Sequence, residues 1–94
     1  MAYTLVYHPD VETGDISGLN RDAGKRIQRA IETRLATDPQ RYGEPLRRTL
    51  KGYWKLRVGD YRVVFKVVRH EVWIFGIMHR RDVHKRIEKR LPND

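Results

Sequence analysis

The chain has 94 residues, 34% of them charged, and a formal net charge of +8. This length suits one small domain, so residues 1–94 are predicted to form a single unit. Because cysteine is absent, disulfides, thiolate metal sites and cysteine nucleophiles are excluded. No segment approaches the roughly 18 apolar residues of a membrane span, and residues 1–8 lack the pattern of a secretory signal. A cytoplasmic protein that does not engage membranes is expected.

The positive charge is concentrated in the second half of the chain. Residues 1–46 carry six Lys and Arg against seven Asp and Glu, whereas residues 47–94 carry fourteen against five. Such a distribution favours a polyanionic partner, with nucleic acid first and an acidic protein or anionic surface behind it. Charge alone names no substrate, because a ribosome-associated protein and a simple nucleic-acid-binding protein would have the same charge distribution.

The first half of the chain predicts one strand and one clear helix. Residues 3–8 have the β-branched and aromatic content of a strand, and the glycines of residues 10–19 predict a short or broken helix. A helix over residues 21–37 follows from apolar side chains recurring every four positions, with Asn20 as its cap. Residues 39–47, which are rich in proline and glycine, are predicted to form a loop.

The second half predicts an antiparallel meander of three strands. Thr49 to Val58, Tyr61 to Val68 and Glu71 to Met78 have the composition of strands, and the first two alternate between charged and apolar residues. The turn signals between them are Gly59-Asp60 and Arg69-His70. We therefore expect an α+β fold, in which the N-terminal strand and helices pack on the apolar face of this meander.

The two-residue turn at 59–60 determines which side chains share a face. It places Arg57 opposite Arg62 and Lys55 opposite Val64, so one face of the hairpin is cationic. Two arginines directly opposite each other are destabilising by up to about 1 kcal/mol relative to a neutral pair. An anion bound beside them would offset this cost, which points to phosphate. A merely solvated polar face is the alternative.

The third strand adds an apolar row to the same face, formed by Trp73, Phe75, Ile77 and His79. Such a row could stack bases, receive an amphipathic segment of a partner, or lie under the short basic helix predicted over Val83 to Leu91. These three interpretations remain open at the level of sequence.

Three segments of the basic half together resemble the RelE/ParE superfamily of toxin–antitoxin modules, most closely its RelE branch. They are Leu50-Lys51-Gly52, Arg57-Val58-Gly59-Asp60-Tyr61-Arg62 and His79-Arg80-Arg81-Asp82-Val83. The resemblance implies a RelE-like, microbial-ribonuclease type of fold. It also implies a toxin that enters the ribosomal A site, cuts messenger RNA without metal or cofactor, inhibits translation and is neutralised by an antitoxin protein.

The implied reaction is attack of a ribose 2′-hydroxyl on the adjacent phosphorus, which needs a base, an acid and cations for the developing charge. Arg62 matches the family's central arginine, which binds the scissile phosphate. Lys55 and Arg57 match basic positions that bind phosphate or help to activate the hydroxyl. Arg80 matches a second arginine that stabilises the transition state.

Two routes for proton transfer follow from the resemblance. His84 stands where the RelE pattern commonly has a tyrosine that stacks on or protonates the substrate, and a histidine, with an ordinary pKa of about 6.5, is able to do either. Glu44 and His79 match the glutamate and terminal histidine that act as acid–base partners in YoeB-like relatives, although a gap is needed to align His79. The simpler interpretations are that His84 is an ordinary surface histidine, that Glu44 is an ordinary loop carboxylate, and that Arg62 forms an ion pair with Glu44.

Two other functions stay open. A ParE-like toxin has the same fold but poisons DNA gyrase by binding it, and such chains tend to lack the basic strand and terminal residues found here. A degenerate toxin that only binds antitoxin or RNA is compatible with the missing tyrosine and the weak helix pattern over residues 11–19. In each case an acidic or amphipathic antitoxin is expected to cover the basic surface or displace the C-terminal helix.

Overall fold

The computed structural model describes residues 2–91 as one five-stranded sheet with helices on both faces. The strands are β1 (Thr4–Tyr7), β2 (Glu44–Pro45), β3 (Trp54–Val58), β4 (Tyr61–Val68) and β5 (Glu71–His79), in the spatial order β1-β5-β4-β3-β2. The helices are α1 (Arg21–Ala30), α2 (Pro39–Tyr42) and α3 (Val83–Arg90). No helix within the described residues is long and apolar enough to cross a membrane.

The shorter helical turns connect these elements. Wide π turns lie at Val11–Asp15 and at Ile31–Leu35, the second of which continues α1. Single 3₁₀ turns lie at Arg48–Leu50 and Arg80–Asp82. The last of these leads directly from β5 into α3 and so places the start of α3 at the end of the sheet.

The predicted meander is confirmed, including the register of its first hairpin. Arg57 pairs with Arg62 and Lys55 with Val64 between β3 and β4. The strand predicted at the N-terminus is also present, and it runs parallel to β5 at the edge of the sheet. The fold is therefore α+β, with an antiparallel meander extended by one parallel strand.

The helix predicted from residue 21 is present and packs on one face of the sheet. Asn20 caps it, because its Oδ1 accepts a hydrogen bond of 2.8 Å from the backbone N–H of Ala23. Such a cap stabilises a helix by about 1 kcal/mol, whereas each fully buried Ile or Leu contributes about 1.5–3 kcal/mol. The apolar stripe, with Ile27, Ile31 and Leu35 all buried, is therefore the larger contribution to the position of α1.

The sheet separates two apolar layers. The layer under α1 contains Val11, Ile27, Ile31, Leu35, Leu56, Val63, Phe65, Val72, Ile74 and Ile77. The layer under α3 contains Leu46, Leu50, Val64, Met78, Val83 and Ile87. Because the second layer is small, α3 covers only part of its face, and Trp73 on that face remains 39% exposed.

Two boundaries differ from the prediction. Residues 39–47 contain α2 and β2 rather than a loop, because Pro39 suits the first turn of a helix and Gly43 then packs against Phe65. The strand expected from Thr49 begins only at Trp54. The preceding residues include Arg48 and Gly52 in left-handed conformations (φ 58° and 97°), which interrupt an extended chain.

The prediction that Ile77 and His79 lie on the cationic face is wrong, because β5 contains a bulge. Phe65 pairs with Ile74 but Val64 pairs with Gly76, so Phe75 has no partner across the strands. One extra residue reverses the faces of everything that follows it. Ile77 consequently packs in the layer under α1, and His79 faces Tyr61.

Candidate active site

Arg62 is the buried centre of the cationic face. Arg62 is only 7% exposed to solvent. Its Nη1 donates hydrogen bonds of 2.9 Å to the carbonyl oxygens of Gly59 and Tyr61, which fix the guanidinium beside the turn between β3 and β4. Burial lowers the pKa of Arg62, and the nearby charges of Arg57 and Arg80 lower it further, against the opposing carboxylates Glu44 and Asp60. An arginine still remains charged at neutral pH, so the site holds an uncompensated cation.

Arg62 has no carboxylate within salt-bridge distance among the described residues, which argues against the simple Arg62–Glu44 pairing. Its Nε and Nη2 make no hydrogen bond to any residue of the described range 2–91. No buried side-chain nitrogen of residues 2–91 lacks a partner, so these two groups must reach solvent. Arg62 therefore presents a free donor fork at the base of a depression, and this geometry suits a phosphate.

The depression has a volume of about 420 Å³ and adjoins both the hairpin and the start of α3. It is lined by Leu46, Lys55, Arg62, Arg80, Arg81, Val83 and His84. Four of these residues are cations and none is a carboxylate, so the electrostatic potential favours an anion. We call it the Arg62 cavity.

A neighbouring cavity of about 670 Å³ shares three of these residues, Leu46, Lys55 and His84. It adds both carboxylates of this region, Glu44 and Glu88, together with Arg47 and Arg48. Because Glu44 is the pairing partner of Lys55 between β2 and β3, the sheet itself fixes its place. We call this space the Glu44 cavity.

The sequence of α3 explains the position of His84. Val83 and Ile87 are buried in the layer beneath the helix, which leaves His84 exposed toward the two cavities. A hydrogen bond of 2.8 Å from Oγ1 of Thr49 to Oε1 of Glu88, on the same side of α3 as His84, also fixes the helix. His84 is thus carried by a helix that is packed and hydrogen-bonded to the rest of the protein.

The remaining predicted site residues lie elsewhere. Arg57 is exposed and lines a third cavity between β3 and α1, although it still faces Arg62 across the strands. His79 lines neither the Arg62 cavity nor the Glu44 cavity. Its Nδ1 accepts from the backbone N–H of Arg81 at 3.2 Å, and its ring lies 6.1 Å from that of Tyr61. Glu44 and His79 are therefore not brought together, whereas Glu44 and His84 are.

Two features were missed by the sequence analysis. Arg81, which lines the Arg62 cavity, lay within a quoted motif but had no assigned role. Asp15 is 6% exposed and accepts hydrogen bonds of 2.7 Å from the backbone N–H of Ile77 and from both terminal nitrogens of Arg90. This hydrogen bonding raises the pKa of Arg90. Since Asp15 follows the buried Val11 by one turn, a carboxylate on an apolar face was the available signal.

Comparison with known proteins places this geometry in a family. The sequence profile of the ParE toxin of type II toxin–antitoxin systems matches residues 12–84, which contain every residue named above for the two cavities except Glu88. The chain is a toxin of the RelE/ParE superfamily. The segment matched thus includes both cavities as well as the meander that supports them.

Individual relatives agree with this assignment. The toxin RelG of Mycobacterium tuberculosis is 37% identical over 54 residues, which cover 55% of this chain and 62% of the relative. The chain therefore spans less than two thirds of that relative's length. The toxin–antitoxin complex RelBE2 of the same organism matches with a TM-score of 0.78 and 28% identity, over 85% of this chain and 93% of that chain. A variant of Escherichia coli RelE in the free state, at 13% identity and a TM-score of 0.66, shares the fold over 96% of this chain and 94% of its own.

Proposed function

We propose that this toxin is a RelE-like endoribonuclease that cuts messenger RNA in the ribosomal A site and thereby inhibits translation. The observation that carries the proposal is the Arg62 cavity, where a buried and unpaired guanidinium lies among three further cations. A protein that acts only by docking needs no such desolvated cation, since an unpaired buried charge costs stability. A phosphoryl transition state, by contrast, is stabilised by fixed cations placed in advance.

Arg62 is the proposed ligand of the scissile phosphate. Its two free donor groups match two phosphate oxygens, and the carbonyls of Gly59 and Tyr61 keep the guanidinium fixed as charge develops. Arg80 and Arg81, at the entrance to α3, bind the same phosphate or its neighbour. Lys55 lies at the junction of the two cavities and stabilises the 2′-oxygen during its attack on phosphorus.

Glu44 and His84 are the proposed proton-transfer pair. Both line the Glu44 cavity, and His84 and Lys55 also line the Arg62 cavity. Glu44 takes the proton of the 2′-hydroxyl and His84 donates one to the departing 5′-oxygen, so that the bond to phosphorus forms and breaks without a net proton change. This pairing replaces the Glu44–His79 route. No metal is assigned a role, and metal independence remains a prediction from the family.

The partners proposed for the toxin are the ribosome, messenger RNA and a cognate antitoxin, all in the cytoplasm. Its structural relative RelBE2 was solved as a toxin–antitoxin complex. The surface around the Arg62 cavity is basic, and it suits an acidic or amphipathic antitoxin segment as well as RNA. We expect the antitoxin to inhibit by covering that surface or by displacing α3.

The first test is primer-extension mapping of a defined messenger during cell-free translation, with and without ribosomes. Arg62→Ala is expected to lower cleavage by about 10²–10³-fold, the usual loss when one transition-state donor is removed. Arg69→Ala, which removes the same charge from the exposed turn between β4 and β5, is the matched control and should cleave normally. Retained cleavage by Arg62→Ala would contradict the proposed site.

The alternative is a toxin that poisons DNA gyrase, and the match to the ParE profile favours it. The discriminating measurement is a gyrase supercoiling assay with the same wild-type and Arg62→Ala proteins. Intact messenger together with gyrase inhibition that survives Arg62→Ala would replace our proposal by this one. Messenger cleavage with unaffected gyrase would exclude it.

A further inference from the structure

A third cavity, on the side of the hairpin that faces α1, is also rich in positive charge. Its volume is about 590 Å³, and we call it the α1 cavity. Five of its lining residues are cations, Lys25, Arg26, Arg29, Arg34 and Arg57, against one carboxylate, Asp22. Neither the charge analysis nor the family assignment gives this cavity a role.

None of the five cations forms an ion pair with a described carboxylate. The ion pairs within residues 2–91 involve only His8, Arg86 and Arg90 on the cationic side. Lys25 and Arg29 are one turn apart on the exposed side of α1, where two like charges repel by a few tenths of a kcal/mol. A cluster of unpaired cations with little internal compensation favours the binding of an anion.

The β3–β4 turn joins the α1 cavity to the Arg62 cavity. A side-chain carbon on Gly59 would lie 3.1 Å from Nη2 of Arg26, so the glycine leaves room for that arginine above the turn. The carbonyl of the same Gly59 accepts the hydrogen bond from Arg62. Arg57 lines the α1 cavity and faces Arg62 across the strands. The two cationic surfaces are therefore neighbours that share one turn.

The lining of the α1 cavity distinguishes between classes of anion. It contains no aromatic side chain for base stacking, and its apolar members, Ala30 and Val58, are buried. A docked protein segment takes most of its affinity from apolar or aromatic anchors that this cavity lacks. A nucleic-acid backbone needs only cations and is bound without regard to sequence.

We propose that the α1 cavity binds the phosphate backbone of RNA outside the nucleotide that is cut. This inference rests on the proposed function, because that function makes RNA the ligand. The α1 cavity is a second contact surface and has no catalytic role. Such a surface would hold structured RNA while the Arg62 cavity acts on a single phosphate. Binding there is expected to be independent of sequence and strongly dependent on salt.

The test measures RNA affinity in a background that does not cleave. Proteins carrying Arg62→Ala are titrated with a fluorescent RNA hairpin across a series of salt concentrations. Addition of Arg26→Ala and Arg29→Ala is expected to weaken binding by about tenfold in low salt and to reduce the slope of log K against log[salt] by about 1.5. The matched control adds Arg69→Ala and Lys89→Ala, which remove the same charge from surfaces outside the three cavities.

Equal affinity and equal salt slope in the two triple variants would overturn the inference. The inference would also be overturned if Arg26→Ala and Arg29→Ala left RNA binding intact but lowered the affinity for the antitoxin, because the cavity would then bind a protein. Thermal unfolding of each variant establishes that the proteins are folded. Because this assay does not depend on cleavage, its result is separate from the messenger-cutting test. If Arg26→Ala and Arg29→Ala weaken RNA binding while the wild type cuts no messenger, this surface is upheld and the proposed enzyme is rejected.

Discussion

Arg62 and Arg90 are two largely buried arginines with opposite surroundings. Arg90, whose side chain is 12% exposed, makes two hydrogen bonds of 2.7 Å to the fully buried carboxylate of Asp15. Arg62 donates hydrogen bonds to two backbone carbonyl oxygens and lies near two other cations. It has no carboxylate partner among the described residues. The pKa of Arg90 is accordingly raised and that of Arg62 lowered.

The difference separates a structural cation from one available to a ligand. Asp15 and Arg90 join the first π turn to α3, while the backbone N–H of Ile77 ties the same carboxylate to β5. That charge is satisfied within the protein. The charge of Arg62 has no such partner among the described residues, and a cation without a partner is well suited to bind an anionic ligand. Three substitutions test this difference, in decreasing order of their expected effect on stability.

The largest effect is expected from Asp15→Ala. Removing one partner of a buried ion pair leaves an uncompensated charge, which typically costs about 3–5 kcal/mol. Urea unfolding followed by circular dichroism measures the loss. Asp10→Ala serves as control, since that carboxylate is exposed and lies 3.9 Å from Arg90, and we expect a loss below about 1 kcal/mol. Equal losses in the two variants would show that Asp15 is not the anchor of α3.

Gly76→Ala should give the next largest effect. A side-chain carbon there would collide with Cε of Met78 and lie 2.7 Å from Cδ1 of Ile87, so both side chains must repack in the layer under α3. Overpacking of this kind costs about 1–3 kcal/mol. Gly24→Ala in α1, where nothing lies within 4 Å of the added carbon, should instead stabilise by about 1 kcal/mol. Thermal unfolding of both variants tests whether the first substitution lowers the melting temperature and the second raises it.

The smallest effect on stability is expected from Arg62→Met. Loss of the hydrogen bonds to Gly59 and Tyr61 is offset by relief from repulsion and desolvation, so the change should stay within about 1 kcal/mol. Sulfate should raise the melting temperature of the wild type more than that of this variant, at ionic strength matched with chloride, because an anion that binds the folded state stabilises it. An equal rise in both proteins would mean that Arg62 is not an anion ligand.

Local signals in the sequence were enough to predict the meander and the pairing of Arg57 with Arg62. Alternation of polar and apolar residues, together with a two-residue turn, determines such a register. The bulge at Phe75 was missed, although Gly76 directly after it was an available signal, because an isolated glycine within a strand often marks a bulge. It is also the reason why His79 was assigned to the wrong face.

The candidate site was predictable in part for the same reason. Lys55, Arg62, Arg80 and His84 came from motifs and do line one cavity. The partners of Asp15 were beyond reach, because Arg90 lies 75 positions further along the chain and only the folded structure brings the two together. The same holds for the α1 cavity, whose cations come from α1, from the π turn that follows it and from β3.

The parallel pairing of β1 with β5 has a consequence for how the protein is made. Thr4 must wait for Glu71 before its strand can join the sheet, and Asp15 must wait for Arg90. Contacts between residues so far apart close large loops, which slows folding and delays its completion until the chain has been synthesised past Arg90. A protein proposed to attack translating ribosomes is therefore unable to complete its candidate active site before its own synthesis has passed Arg90.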